Sequence, residues 1–142
     1  MVYALDTNII SFLLRKDRNQ EVAERFEFEI NKRKNYYVIP PLCYYETFWY
    51  LLRKKAVAQL RIFNGLYANS LTIIGMSEAE FIKAAEIRAY LDEKGKPIGD
   101  GDIFTAAYCI VNGYTLVTNN IRHFEIINEL KLDNWKSDGY TE

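Results

Sequence analysis

Asp6, Glu46, Asp100 and Asp102 are the residues of this chain whose types and placement could do chemistry together. Asp6 ends the apolar run Val2, Tyr3, Ala4, Leu5. Glu46 lies in an aromatic-rich stretch, and Asp100 and Asp102 follow Gly99 at the start of an apolar-periodic segment. In an α/β fold these stretches converge. Carboxylates gathered out of water are costly unless a positive charge sits among them, and a divalent cation with hard oxygen ligands is the usual one. A metal-dependent hydrolase of phosphate esters is the reaction class that such a cluster would serve.

Each acid also has a plainer reading. Asp6, Thr7 and Asn8 follow a predicted strand, and any of them would cap a short helix running from Ile9 to Leu14. The two roles are compatible if Asn8 caps while Asp6 points into the crevice. Glu46 falls on a helical stripe with Leu42, Tyr45, Trp49 and Leu52, so its carboxylate requires a partner or a proton. An Arg or Lys would serve there as well as a metal. Asp100 and Asp102 would make an acidic helix start. Gly99 and Gly101 free that backbone to take unusual angles. In a loop both carboxylates reach one ion, whereas on a helix they point to different sides. Lys32, Arg33 and Lys34 end one predicted helix and Arg53, Lys54 and Lys55 another, where the helix dipole favours positive charge. The second cluster shares its helix with Glu46 and is the better candidate for a nucleic-acid contact. His123, the only histidine, reads as a surface or packing residue.

Composition narrows the classes. With 142 residues, 49% of them hydrophobic, the chain is long enough for one sizeable core. A single domain over residues 1–136 is expected, with a loose polar tail at 137–142. A net charge of −1 excludes a protein that holds nucleic acid by bulk electrostatics. One histidine excludes a His-rich zinc site. Cys43 and Cys109 lie in apolar helical stretches and read as small buried hydrophobes of a reducing compartment. No apolar run approaches the roughly 18–20 residues of a membrane span, and no secretory leader is visible. A soluble, cytoplasmic protein is expected.

Period-2 and short apolar runs predict strands at residues 2–5, 36–39, 71–74 and 115–117, with an edge strand at 130–132. A helix with a narrow stripe of Val22, Phe26 and Ile30 is predicted over 19–34, and Pro40 and Pro41 start another that runs to about Lys55. Further helices are predicted over 57–67, from the capping box Ser77/Glu80 to Glu93, and over 102–112 with Gly113 at its end. The alternation describes an α/β, three-layer fold: a central, mostly parallel sheet of four to five strands flanked by helices. Its functional crevice belongs at the carboxyl ends of the strands, where Asp6, Thr118, Asn119 and Asn120 emerge. The face of the Glu46 helix carrying Tyr44, Phe48 and Leu51 makes that helix apolar nearly all round, and a subunit or partner is expected to cover it.

Taken together, these segments resemble the PIN domain and, within it, the VapC-type toxins of bacterial and archaeal toxin–antitoxin pairs. LDTNI resembles the family's first acidic motif, YYETFWYL carries its helix glutamate, IGDGDIFTAA resembles its third, and LVTNNIRHF resembles the segment after the fourth predicted strand. Asn119 and Asn120 stand where many PIN domains carry a fourth acid, and His123 where a Glu is frequent. The resemblance implies a Mg2+- or Mn2+-dependent endoribonuclease. Asp6 and Asp102 would hold the ion, Glu46 would complete the acidic cluster, and Asp100 is an extra acid able to compensate for the missing fourth. It also implies a homodimer that acts on RNA and is inhibited by a VapB-like antitoxin. The alternative is a PIN-like module that binds RNA or protein without catalysis.

Overall fold

Four short strands, β1 (Val2–Leu5), β2 (Tyr36–Val38), β3 (Thr115–Val117) and β4 (Lys131–Asp133), pair in parallel in the spatial order β2-β1-β3-β4. The structure is a computed structural model that describes residues 1–15 and 20–136. The tail expected at 137–142 lies outside the described residues. Parallel pairing requires crossovers, and helices supply them: α1 (Thr7–Leu14), α2 (Gln20–Glu27), α3 (Pro41–Arg53), α4 (Val57–Ala68), α5 (Glu78–Lys94), α6 (Asp100–Asn112) and α7 (Ile121–Phe124). The end of α2 runs on as a π-helical turn, Phe28–Lys32.

Successive strand residues face opposite layers, which splits the core in two. Tyr3, Leu5, Tyr37, Ile39 and Val117 pack with Ile9, Val22, Cys43 and Phe63 from the first helices. Ala4, Val38 and Leu116 pack with Ile87, Leu91, Ile103, Ala106 and Phe124 from α5, α6 and α7. The three-layer expectation therefore holds. The helix ends follow their sequence signals. Ser77 and Glu80 form the reciprocal capping box of α5, and Gly95 and Gly113 take left-handed angles (φ 65° and 72°) at the ends of α5 and α6.

Two expectations are corrected. Residues 71–74 are not a strand. Leu71 N–H donates to Tyr37 O (3.0 Å), but the next amide of that edge, Ile39 N–H, is taken by the Thr72 hydroxyl (2.7 Å), so no ladder propagates. The sheet has four strands among the described residues, with the C-terminal one at the edge as expected. The faces of α3 are also reassigned. Leu51 is buried, and Tyr44 and Phe48 pack against Phe63, while Tyr45, Trp49 and Leu52 are exposed. The face expected to meet a partner is core, because α4 folds back over it.

Candidate active site

The strand order turns at β1 and β3: the chain leaves β1 to build β2 on one side, then returns to place β3 on the other. Ligands of open α/β sheets bind outside the carboxyl ends of the strands at such a point. Asp6 follows β1 and Thr118 follows β3, and the ladder carries on between them, with Asp6 N–H donating to Val117 O (3.0 Å). A cleft of about 980 Å³ opens here, and Asp6, Glu46 and Asp102 line it together.

Asp6 is only 7% exposed. Its Oδ1 accepts the Thr7 N–H (2.8 Å), so Asp6 itself caps α1, a role expected of Asn8. Its Oδ2 accepts the Thr118 hydroxyl (2.8 Å) and, more loosely, Asn8 Nδ2 (3.4 Å). Thr118 Oγ1 in turn accepts the Asn120 N–H (3.0 Å), which fixes its proton toward Asp6. Asn8 Oδ1 accepts the Asn119 N–H (3.0 Å), tying the loop after β3 to α1. The buried Cys43 thiol donates to Asp6 Oδ1 (3.5 Å) and is pushed well above its ordinary pKa by burial and then by the Asp6 charge. Burial raises the Asp6 carboxyl above the usual range. The bonds from Thr118 and Thr7 work against that rise, and the nearby Asp102 charge adds to it.

Glu46 projects from α3 and accepts the Thr7 hydroxyl (2.7 Å). Among the described residues, no lysine or arginine ion-pairs with Asp6 or Glu46, so the structural ion pair allowed for Glu46 is not made. A Cβ at Gly101 would lie 3.4 Å from Glu46 Oε2. Gly101 sits inside α6, and Gly99 takes an ordinary extended conformation (φ −62°), so neither glycine serves the unusual angles expected of it. Gly101 instead lets the start of α6 come close to α3.

Because α6 begins at Asp100, Asp100 and Asp102 are two helical positions apart and point to different sides. Asp102 enters the cleft, where His123 Nε2 lies 2.7 Å from its Oδ2. Asp100 turns outward to Arg88 on α5 (2.6 Å) and does not line the cleft. The structure thus brings three of the four acids together and sends the fourth to a surface ion pair. His123 is the neighbour that sequence reasoning missed. Its place in α7, directly after the loop that carries Thr118 and Asn120, is the signal that would have found it.

The donor set suits a hard cation in part. Among the described residues, no group of three His, Cys, Asp or Glu side chains is disposed to hold a metal. Two carboxylates are nonetheless what Mg2+ commonly takes from a protein, with water and substrate phosphate completing its shell. Thr47 Oγ1, on the cleft wall, and Asn119 Oδ1, beside Asn8, are buried with no hydrogen-bond partner among the described residues, and groups so placed call for a water, ion or ligand.

The PIN domain family model matches residues 3–129. Ribonuclease VapC2 of Rickettsia felis is 30% identical, over 95% of this chain and 98% of that protein. The tRNA(fMet)-specific endonuclease VapC of Salmonella typhimurium is 27% identical, over 94% and 97% respectively. The crystal structure of VapBC2 from Rickettsia felis, bound to a DNA fragment from its promoter, superposes with a TM-score of 0.80 at 29% identity, over 95% of this chain and 99% of that one. The chain belongs to the PIN domain family and, within it, to the VapC ribonucleases.

Proposed function

We propose that this chain is the toxin of a VapBC-type pair and hydrolyses RNA phosphodiester bonds with Mg2+, or Mn2+ in its place, held by Asp6 and Asp102. The observation that carries the reading is that Asp6, Glu46 and Asp102, from three separate elements, meet in one cleft where no lysine or arginine of the described residues ion-pairs with Asp6 or Glu46. Bound there, a divalent ion supplies an activated water and stabilises the charge that develops on the phosphate.

The chain's own groups prepare that site. Thr118 and the Thr7 N–H each bond one Asp6 oxygen at 2.8 Å and hold the carboxylate in one orientation, and a cation would have to displace only the longer contacts from Asn8 Nδ2 (3.4 Å) and the Cys43 thiol (3.5 Å). His123 fixes Asp102 in the same way. Glu46, with Oε1 taken by Thr7, offers Oε2 to an ion or to its water. Arg15 and Lys54 stand on the cleft wall, where positive charge draws a phosphate backbone toward acids that would otherwise repel it. On this reading the partners are RNA, a VapB-like antitoxin and a second copy of the chain, all in the cytoplasm. No helix of the described residues is long and apolar enough to cross a membrane.

Incubation of the purified protein with end-labelled RNA tests the reading. Wild type should cut with Mg2+ and stop with EDTA, and Asp102→Asn should be inactive at every Mg2+ concentration. Equal cutting by wild type and Asp102→Asn would refute it.

A further inference from the structure

The outer wall of the cleft is aromatic. Tyr45, Trp49 and Tyr50 line it from α3, and these residues are 63%, 49% and 49% open to solvent. Tyr44 and Phe48, on the same helix, do the opposite and pack on Phe63. The open rings therefore have no place in the core, and large apolar groups left together in a cleft mark a binding surface.

Their spacing is ordered. Side chains four apart on a helix stack in rows. Tyr45, Trp49 and Arg53 form one row, and Glu46, Tyr50 and Lys54 form the next. The second row runs from a site carboxylate through an aromatic ring to a cation over about 12 Å of helix. Cations cover the rings: Arg53 Cζ lies 5.0 Å from the Trp49 ring centre, and Lys54 Nζ lies 5.7 Å from that of Tyr50.

We propose that Tyr45, Trp49 and Tyr50 form a stacking platform for unpaired bases beside the scissile phosphate, with Lys54 and Arg53 taking the flanking phosphates. This rests on the ribonuclease reading and deepens it: the strand is single-stranded where it is cut. Charge complementarity selects the occupant. Each row of rings ends in a cation, Arg53 or Lys54, that a polyanion's phosphates can meet, and a chain of net charge −1 gains little from bulk attraction, so stacking must supply the grip. A duplex buries the faces of its bases in its own stack and cannot use such a platform.

Trp49 reports on its own occupancy. The chain has two tryptophans, and the other, Trp135, is buried. Binding is followed in an Asp6→Asn background, which prevents cleavage, by tryptophan fluorescence where Trp49 is present and by fluorescence anisotropy of the end-labelled RNA for every variant, including those that lack Trp49. The probes are an unstructured eight-nucleotide RNA, the same strand annealed to its complement, and inorganic pyrophosphate. The single strand should quench Trp49, while the duplex and pyrophosphate should not. Trp49→Ala and Tyr50→Ala should each weaken binding by about five- to a hundredfold with the salt slope unchanged, and Lys54→Ala should reduce that slope by about 0.7. Trp49→Phe, which keeps a stacking face, should restore most of the affinity. In the active protein the Trp49→Ala loss should appear in KM.

Duplex binding as tight as single-strand binding would overturn the platform. So would an unchanged affinity in the Trp49→Ala/Tyr50→Ala double variant, or a loss confined to binding of the antitoxin. A wild-type protein that fails to cut any RNA with Mg2+ overturns the ribonuclease reading instead, so the two failures are distinct.

Discussion

Glu29 and Asp6 are both carboxylates withdrawn from water, and the chain treats them in opposite ways. Glu29, in the π-helical turn, is fully buried. It receives Arg25 Nε (2.7 Å) and Asn35 Nδ2 (2.9 Å), with Arg33 at 3.6 Å. Arg25 also reaches Asp133 on β4 (3.1 Å), so the network ties the turn to the sheet edge. Burial works to raise the Glu29 carboxyl, but the bonds from Arg25 and Asn35 and the arginine charges outweigh it and hold it below its usual range. Burial holds the Asp6 carboxyl above its usual range: its hydroxyl, amide and thiol donors only partly oppose the rise, Asp102 adds negative charge beside it, and among the described residues no lysine or arginine ion-pairs with it. A buried acid that brings its own cations is a fastener. A buried acid without them fits the proposed role of Asp6, a ligand for a cation that comes from outside.

The largest expected effect separates these roles. Asp6→Asn keeps the α1 cap but removes the charge. RNA cleavage should fall about a thousandfold or more, on the scale of losing a metal's several kcal/mol of transition-state stabilisation. In EDTA the wild-type Tm should fall as pH rises above the unfolded carboxylate pKa, and calorimetric melting of Asp6→Asn, whose Nδ2 replaces the oxygen that faces Thr118, should lack that fall. The sign follows from the raised carboxyl: its charged form is disfavoured in the folded state, so stability falls as pH rises through the window above the unfolded pKa. Removing the charge removes that cost.

Glu29→Gln should do the reverse. It leaves Arg25 and Arg33 facing a neutral group. Breaking a buried pair costs about 3 kcal/mol, and the partial exposure of Arg25 moves the figure toward the lower side. Urea unfolding should show the loss, while cleavage per folded molecule stays close to wild type. Thr118→Val removes the hydroxyl that orients Asp6 and should weaken Mn2+ binding about ten- to a hundredfold, read by isothermal titration. The smallest effect is in pH. A depressed carboxyl such as Glu29 contributes stability above its unfolded pKa and loses it as pH falls through its folded value. The urea midpoint should therefore drop below about pH 4.5, and Glu29→Gln should flatten that drop.

Much of this was legible in the chain. The apolar run before Asp6, the capping box at Ser77 and the glycines after α5 and α6 are local signals, and local structure follows them. The convergence of Asp6, Glu46 and Asp102 follows from parallel topology, which the strand–helix alternation dictates. Three things were not legible. The inner and outer faces of α3 are both apolar, so periodicity could not show that α4 covers Tyr44 and Phe48 and leaves Trp49 open. The run Leu71, Thr72, Ile73, Ile74 has strand composition, but whether it pairs depends on which group reaches the β2 edge first, and the Thr72 side chain does. The outward turn of Asp100 depended on where α6 begins, and a shift of two residues decides whether two acids share a side.

At the centre stands the proposal that Asp6 and Asp102, with which no lysine or arginine of the described residues ion-pairs, take their positive charge from a divalent ion. Isothermal titration of Mn2+ into wild type, Asp6→Asn, Asp102→Asn and Glu29→Gln tests it most directly. Binding should be present in wild type and Glu29→Gln and lost in both aspartate variants. Undiminished binding in Asp6→Asn and Asp102→Asn would contradict it.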